Sequence, residues 1–264
     1  AFMMKKTLFA LPALLLVLCL TACGVPSTAP TPAPASSAPA ATEAPTTELT
    51  PEPTVEPVVV FTDSVLEELV RKAMNKPEGD ITLAEAEAVT ELDLQMDGND
   101  WSLPRIAGVS DLKQFPNLTS LTLNWALFDG DEVFDISPLA GLTKLERLYV
   151  CCANITDISA LAGMTDMKDL WIWSNHITDI SALAGMTQLE SIWMKGNQIS
   201  DISVLANMKN LVYLCMEDNQ VADLSPLAGL SKLTSVLLSG NPATDYSPLK
   251  EVYPNLEEKD FKMN

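Results

Sequence analysis

Residues 175–196 read NHITDISALAGMTQLESIWMKG, and versions of this unit recur along the chain every 22 residues. Asp135, Asp157, Asp179, Asp201, Asp223 and Asp245 share one column of the repeat, and Asn175, Asn197, Asn219 and Asn241 share another. Two apolar columns keep the same step: Leu161, Leu183, Leu205, Leu227 and Leu249, and Leu148, Leu170, Ile192, Leu214 and Val236. No single unit is long enough to enclose a core. Stacked copies bury continuous columns of Leu, Ile and Met, so the chain is expected to wind into a coil with one repeat per turn. Each turn carries a short strand. In Leu148-Tyr149-Val150 the outer two residues point inward and Tyr149 points outward. The Asn column is placed to satisfy backbone groups between successive coils. Each Asp, as in Asp157-Ile158-Ser159, is placed to cap a short turn on the opposite side. Calcium binding is the alternative reading of the Asp column.

Outward from the regular copies the pattern loosens. Earlier copies run through Leu92/Leu94 and Leu121/Leu123, with WSLPRIAG (101–108) and ALFDGDEVF (126–134) as local insertions. Before them, Leu66, Leu69, Val70 and Ala73 have helical spacing, with Asp63 or Thr62 as the cap. Thr82-Leu83-Ala84-Glu85 fits a capping box for a second, short helix. At the other end, SGNPATDYSPLKEVYPNLEEKDF closes the stack.

The period and its leucine pattern resemble the leucine-rich repeat. The 22-residue unit is similar to the internalin-type repeats of bacterial surface proteins. The entry FTDSVLEELVRKAMNKPEGDITLAEAEAVTELDL (61–94) resembles the N-terminal cap of that group, so the likeness runs from about Val60 to Asn264. It implies an α/β solenoid: a leucine-rich-repeat horseshoe with a parallel β-sheet on its concave face and a helical N-terminal cap. It also implies an extracellular binding protein. The sequence shows no immunoglobulin-like domain and no wall-sorting motif, so binding, rather than invasion of a host cell, is the expectation.

The N-terminal residues read as an address. Lys5 and Lys6 precede a 13-residue apolar run, Leu8 to Leu20. A spanning helix needs about 20 such residues, so the run suits a signal-peptide core. Leu20-Thr21-Ala22-Cys23-Gly24 resembles the lipobox of bacterial lipoproteins. That resemblance implies cleavage before Cys23, a diacylglycerol on its thiol, and anchoring to the outer side of the cell membrane. Val25 to Pro57 has nine prolines, no aromatic residue and no Lys or Arg. Such a stretch buries too little apolar surface to offset its ordering entropy. Extended, it would reach on the order of 100 Å. The expected organisation is 1–22 signal peptide, 23–57 lipidated cysteine and tether, 58–90 helical cap, and 91–264 repeats.

Composition excludes several classes. With 16 basic and 35 acidic residues the formal charge is −19, which suits neither nucleic acid nor an anionic membrane surface. His176 is the sole histidine, and no phosphate loop, nucleophile elbow or metal-ligand spacing is present. No enzyme, cofactor or metal is expected, and the expected state is a monomer. The acidic loops Asp97–Asp100 and Asp129–Glu132 do not match the EF-hand pattern and read as turns. Cys151 and Cys215 lie three strands apart, roughly 14 Å, beyond disulfide reach. A redox or metal role for adjacent Cys151 and Cys152 is a minor alternative.

The outward columns carry the candidate site. The middle one reads Thr122, Tyr149, Trp171, Trp193, Cys215 and Leu237. Two residues later the order is Cys151, Trp173, Lys195, Glu217 and Ser239; two residues earlier it is Arg147, Asp169, Ser191, Tyr213 and Ser235. With strands about 4.8 Å apart, Tyr149, Trp171, Trp173, Trp193 and Tyr213 form one patch, ringed by Arg147, Asp169, Lys195 and Glu217. Packing does not demand Trp at outward positions, so an exposed patch of this kind is expected to bind a protein or glycan ligand. The competing reading is a ladder that only stabilises the sheet, in a protein that organises the cell envelope without a discrete ligand.

Overall fold

The computed structural model describes residues 56–96, 104–127 and 132–263. The signal segment, Cys23, most of the tether and most of the two acidic loops lie outside these residues.

The chain enters through two helices whose ends are set by local chemistry. Helix α1 (Ser64–Ala73) starts where the Asp63 carboxylate accepts hydrogen bonds from the N–H groups of Val65 and Leu66. Glu67 and Arg71 pair one turn apart at 2.8 Å, and Leu66 and Val70 face the core. Helix α2 (Leu83–Ala88) has the expected capping box. The Glu85 N–H donates to Thr82 Oγ1, and the Thr82 N–H donates to the Glu85 carboxylate at 2.8 Å. A hydrogen bond from Lys76 and the one from the Thr82 backbone hold the Glu85 carboxyl below its usual range.

Two carboxylates clamp this cap to the first repeat. Asp111, only 4% exposed, accepts from the Thr62 N–H at 2.6 Å, from the Thr62 hydroxyl and from the Asp63 N–H. The second oxygen of Asp63 accepts from the N–H groups of Ala107 and Gly108. The residue that caps α1 is therefore also one of the two that clamp it.

Eight strands follow in one parallel sheet: β1 (Glu91–Asp93), β2 (Ser120–Thr122), β3 (Arg147–Cys151), β4 (Asp169–Trp173), β5 (Ser191–Trp193), β6 (Tyr213–Cys215), β7 (Ser235–Leu237) and β8 (Glu258–Lys259). Each pairs with its neighbours in chain order. The register aligns Leu92, Leu121, Leu148, Leu170, Ile192, Leu214 and Val236 as one buried column. The expected solenoid is what the chain builds, and both early insertions leave this register intact. Within them, Ile106 makes a small parallel bridge with Leu127.

The return path of each coil is a short 3₁₀ helix, as at Ser159–Gly163, Ser181–Gly185 and Ser203–Asn207. The Asp column acts just ahead of it. Asp157 accepts from the Ser159 N–H at 2.7 Å, and the same bond recurs at Asp135, Asp179, Asp201, Asp223 and Asp245. The residue at the helix boundary itself, Ile158 in this repeat, makes no side-chain cap. The aspartate thus forms a turn two residues wide, a refinement of the expected cap. That backbone bond holds the carboxyls of Asp157, Asp201 and Asp245 below their usual range.

The Asn column does what its position predicts. Asn219, 6% exposed, accepts from the Ile199 N–H of the preceding coil and donates to the carbonyls of Met194, Met216 and Glu217. Asn197 and Asn241 repeat the arrangement. Asn175 accepts from the N–H groups of Ala153 and Ile155. At the C-terminal end Asp260 accepts from the N–H groups of Leu238 and Ser239, where a further coil would have offered a backbone carbonyl. Phe261 stacks on Tyr246 with centroids 4.6 Å apart and covers the last apolar layer.

Candidate aromatic binding face

Strand register assembles the site. Tyr149, Trp171 and Trp193 are direct partners across β3, β4 and β5, and Arg147, Asp169, Ser191 and Tyr213 are partners in the column beside them. Ring centroids lie 4.9 Å apart for Tyr149 and Trp171, 5.1 Å for Trp171 and Trp193, and 6.2 Å for Trp193 and Tyr213. Trp173 meets Trp193 at 6.4 Å. The tilts between these rings suit pairs that avoid face-to-face overlap. The five expected aromatics form one continuous surface.

Two features differ from expectation. The rings are half-buried, not exposed, because each covers part of the next. A sixth ring also joins them: Trp125 meets Trp173 edge-on at 5.2 Å. The 22-residue count misses Trp125 because β2 and β3 are separated by an insertion. A backbone signal marks its position. Cys152, Ser174, Gly196, Asp218 and Gly240 all have positive φ at the same point of successive coils, and Trp125 occupies that point one coil earlier with φ 61. A left-handed backbone is uncommon for a bulky residue. Cys151, small and buried, is the register partner of Trp173 on β3.

Hydrogen bonding along the ladder is uneven. The Trp171 indole N–H donates to the Ser191 hydroxyl at 2.9 Å. The Trp193 indole N–H is buried and finds no acceptor among the described residues. Register explains the difference: Tyr213 stands beside Trp193 where Ser191 stands beside Trp171. Burial pushes the Tyr149 and Tyr213 hydroxyls above their ordinary pKa, with Asp169 adding to the effect at Tyr149.

The charged rim resolves into pairs. Arg147 turns toward β1 and bonds Glu91 at 2.8 Å. Lys168 bonds Glu146 at 2.9 Å. Lys195 bridges Glu217 at 3.3 Å and Asp218 at 3.5 Å. Burial works to lower the Lys195 pKa, but its two carboxylates outweigh that and raise it. Glu217 also accepts from the Ser239 hydroxyl and the Cys215 thiol. Asp169 differs. It is half-buried, and its carboxylate has no hydrogen bond or ion pair within reach among the described residues.

The three described cysteines form no disulfide, and Cys151 and Cys215 are buried although their columns face outward. Burial pushes the Cys215 thiol up to about 12. The Cys151 thiol is pushed up as well, by its hydrogen bond with Cys152 and by burial. Neither is a thiolate at neutral pH, so neither is an activated nucleophile. No metal-holding cluster of three or more His, Cys, Asp or Glu occurs among the described residues.

Known proteins place this architecture. Residues 165–207 match the family model for leucine-rich repeats, two copies. The chain is thus a leucine-rich-repeat solenoid. Its structure is similar to that of an internalin (inlF) from Listeria monocytogenes, with a TM-score of 0.67 and 32% identity, covering 78% of this chain and 58% of that one. It is equally similar to internalin C2 (inlC2) of the same species, with a TM-score of 0.66 and 32% identity, covering 78% of this chain and 88% of that one. The chain belongs to the internalin family, and it spans 58% of the length of the inlF structure. Comparison with curated protein sequences gives no match. The matched family model and structures indicate no catalytic family. No helix among the described residues is long and apolar enough to cross a membrane.

Proposed function

We propose that this chain is a lipid-anchored extracellular binding protein, adhesin-like, that holds a protein ligand on its aromatic sheet face. The observation carrying this reading is the unbroken run of rings from Tyr149 through Trp171 and Trp193 to Tyr213, widened by Trp173 and Trp125. Stability does not need six large rings on the solvent side of a sheet whose other side is already a filled core. Tryptophan and tyrosine in a contiguous, partly desolvated patch are the residues that dominate protein interfaces. The buried, unpartnered Trp193 N–H supports the same reading, because such a group costs about 1–3 kcal/mol until it meets an acceptor.

A screen of extracellular proteins and of a glycan array against the full chain tests the proposal, with the Trp171→Ala/Trp193→Ala double variant alongside. The partner's affinity should fall by at least about 100-fold, roughly 3 kcal/mol. Equal binding by a double variant with unchanged circular dichroism would remove the face from consideration. It would leave the envelope-organising reading, which the mutual burial of the rings favours. A glycan held in place of a protein would keep the face and change the ligand class.

Anchoring is proposed at Cys23, on the lipobox resemblance of Leu20 to Gly24 and the apolar run before it. Cys23→Ala should abolish incorporation of labelled fatty acid and release the chain from the membrane fraction of an expressing bacterium. Retention of both label and membrane location would exclude Cys23 as the anchor.

A further inference from the structure

Three basic side chains border the aromatic face, and each is already engaged: Arg147 by Glu91, Lys168 by Glu146, and Lys195 by Glu217 and Asp218. Asp169 is left over. It lies two residues before Trp171 on β4 and pairs in register with Arg147 and Ser191, beside the contact between Tyr149 and Trp171. Arg147 is the cation that register offers it, and Arg147 has turned away toward Glu91 and Ser120. Of the other charges that act on it, Glu190 has the same sign, and Lys168 is already bonded to Glu146.

A half-buried carboxylate without a partner is a liability. Burial, with Glu190 adding to it, raises the Asp169 pKa, opposed by Arg147 and Lys168. Ionised Asp169 therefore works against the folded state. Groups that weaken a fold and persist at a ligand-facing surface mark function. The ring faces beside Asp169 offer negative quadrupole, and a cation seated over them has a carboxylate within reach. Guanidinium suits this place better than ammonium, because it is planar, more weakly hydrated, stacks on aromatic rings and bonds carboxylate with two N–H groups. The chain's charge of −19 draws a basic partner in from a distance.

We infer that the aromatic face takes a basic polypeptide segment, with an arginine of that segment seated over Tyr149 and Trp171 and bonded to Asp169. This rests on the binding-face reading above and specifies the chemistry of its ligand.

The test uses the full chain and an oligo-arginine peptide as the probe, followed by tryptophan fluorescence and calorimetry at low and physiological salt. Saturable binding should perturb tryptophan emission and weaken with salt, and an oligo-glutamate peptide should not bind. Asp169→Asn should weaken binding by about tenfold or more, as expected for loss of a charge-assisted bond. Glu251→Gln removes the same unit of charge away from the strands and should have little effect. Asp169→Asn should also leave the thermal midpoint unchanged or raised, where a structural role would lower it. Equal weakening by both neutralisations, no effect of Asp169→Asn, or a lowered midpoint would each overturn the inference. If the screened partner is lost by the Trp171→Ala/Trp193→Ala variant and retained by Asp169→Asn, the binding face stands and the arginine seat falls.

Discussion

Asn219→Ala should cost about 2–4 kcal/mol of unfolding free energy, a large share of the 5–15 kcal/mol available to a typical domain. The Asn219 amide joins two coils. It accepts from the Ile199 N–H at 3.0 Å and donates to the Met194 carbonyl at 2.9 Å, both in the coil before its own. These backbone groups sit between buried apolar layers, and Asn219 itself is 6% exposed. Truncation strands the Ile199 N–H, at about 1–3 kcal/mol, removes one of two donors to the Met194 carbonyl (Asn197 keeps the other at 3.0 Å), and adds a cavity. Equilibrium urea unfolding measures the loss. Asn210→Ala is the internal control. Asn210 also links coils, bonding the Thr187 carbonyl and Lys232, but at an exposed site where water replaces the lost bonds. Its cost should stay within about 0.5 kcal/mol. A loss below about 1 kcal/mol for Asn219→Ala would refute the ladder as a main source of cohesion.

Asp111→Ala should release the helical cap. Three donors from the cap converge on its buried carboxylate: the Thr62 N–H, the Thr62 hydroxyl and the Asp63 N–H. The Asp63 side chain in turn caps α1 and grips Ala107 and Gly108. Losing Asp111 strands donors at the joint and loosens the residue that starts the helix, for an expected local cost of about 3 kcal/mol or more. Solenoid units communicate mainly with their neighbours, so the loss should stay at the N-terminal end. Hydrogen exchange should show lowered protection in α1 while the amides of the Asn197 and Asn219 coils keep theirs. Uniform loss of protection along the chain would mean that cap and repeats fold as one unit. Unchanged protection in α1 would mean that the apolar contacts of Leu66 and Val70 hold the cap without the clamp. Asp111→Asn keeps an acceptor and should fall between the two.

Both predictions concern residues whose environments were legible to different degrees. Asn219 announces itself: it stands 22 residues from Asn197 and from Asn241, and one period implies one environment. Asp111 carries no such mark. It lies after an insertion and belongs to no column, and its donors come from residues 49 and 48 positions earlier. The candidate face divides in the same way. Tyr149, Trp171, Trp193 and Tyr213 can be aligned by counting. Trp125 cannot, because the insertion after β2 breaks the count.

What the amino-acid order settles here is everything that repetition enforces. Identical positions of consecutive coils must lie side by side, so the period alone determines the parallel register, the apolar columns, the Asn ladder, the Asp turns and the adjacency of the rings. What it leaves to the tertiary structure is choice among neighbours. Arg147 stands level with Asp169 and Ser120 yet pairs with Glu91, two strands away. The Trp193 N–H has Tyr213 where Trp171 has a serine, and the rings tilt until each is half covered. Such outcomes depend on side-chain direction and on competition between partners at similar distance. Backbone hydrogen bonding sets the periodic frame, and the non-periodic side chains settle within it by packing and charge.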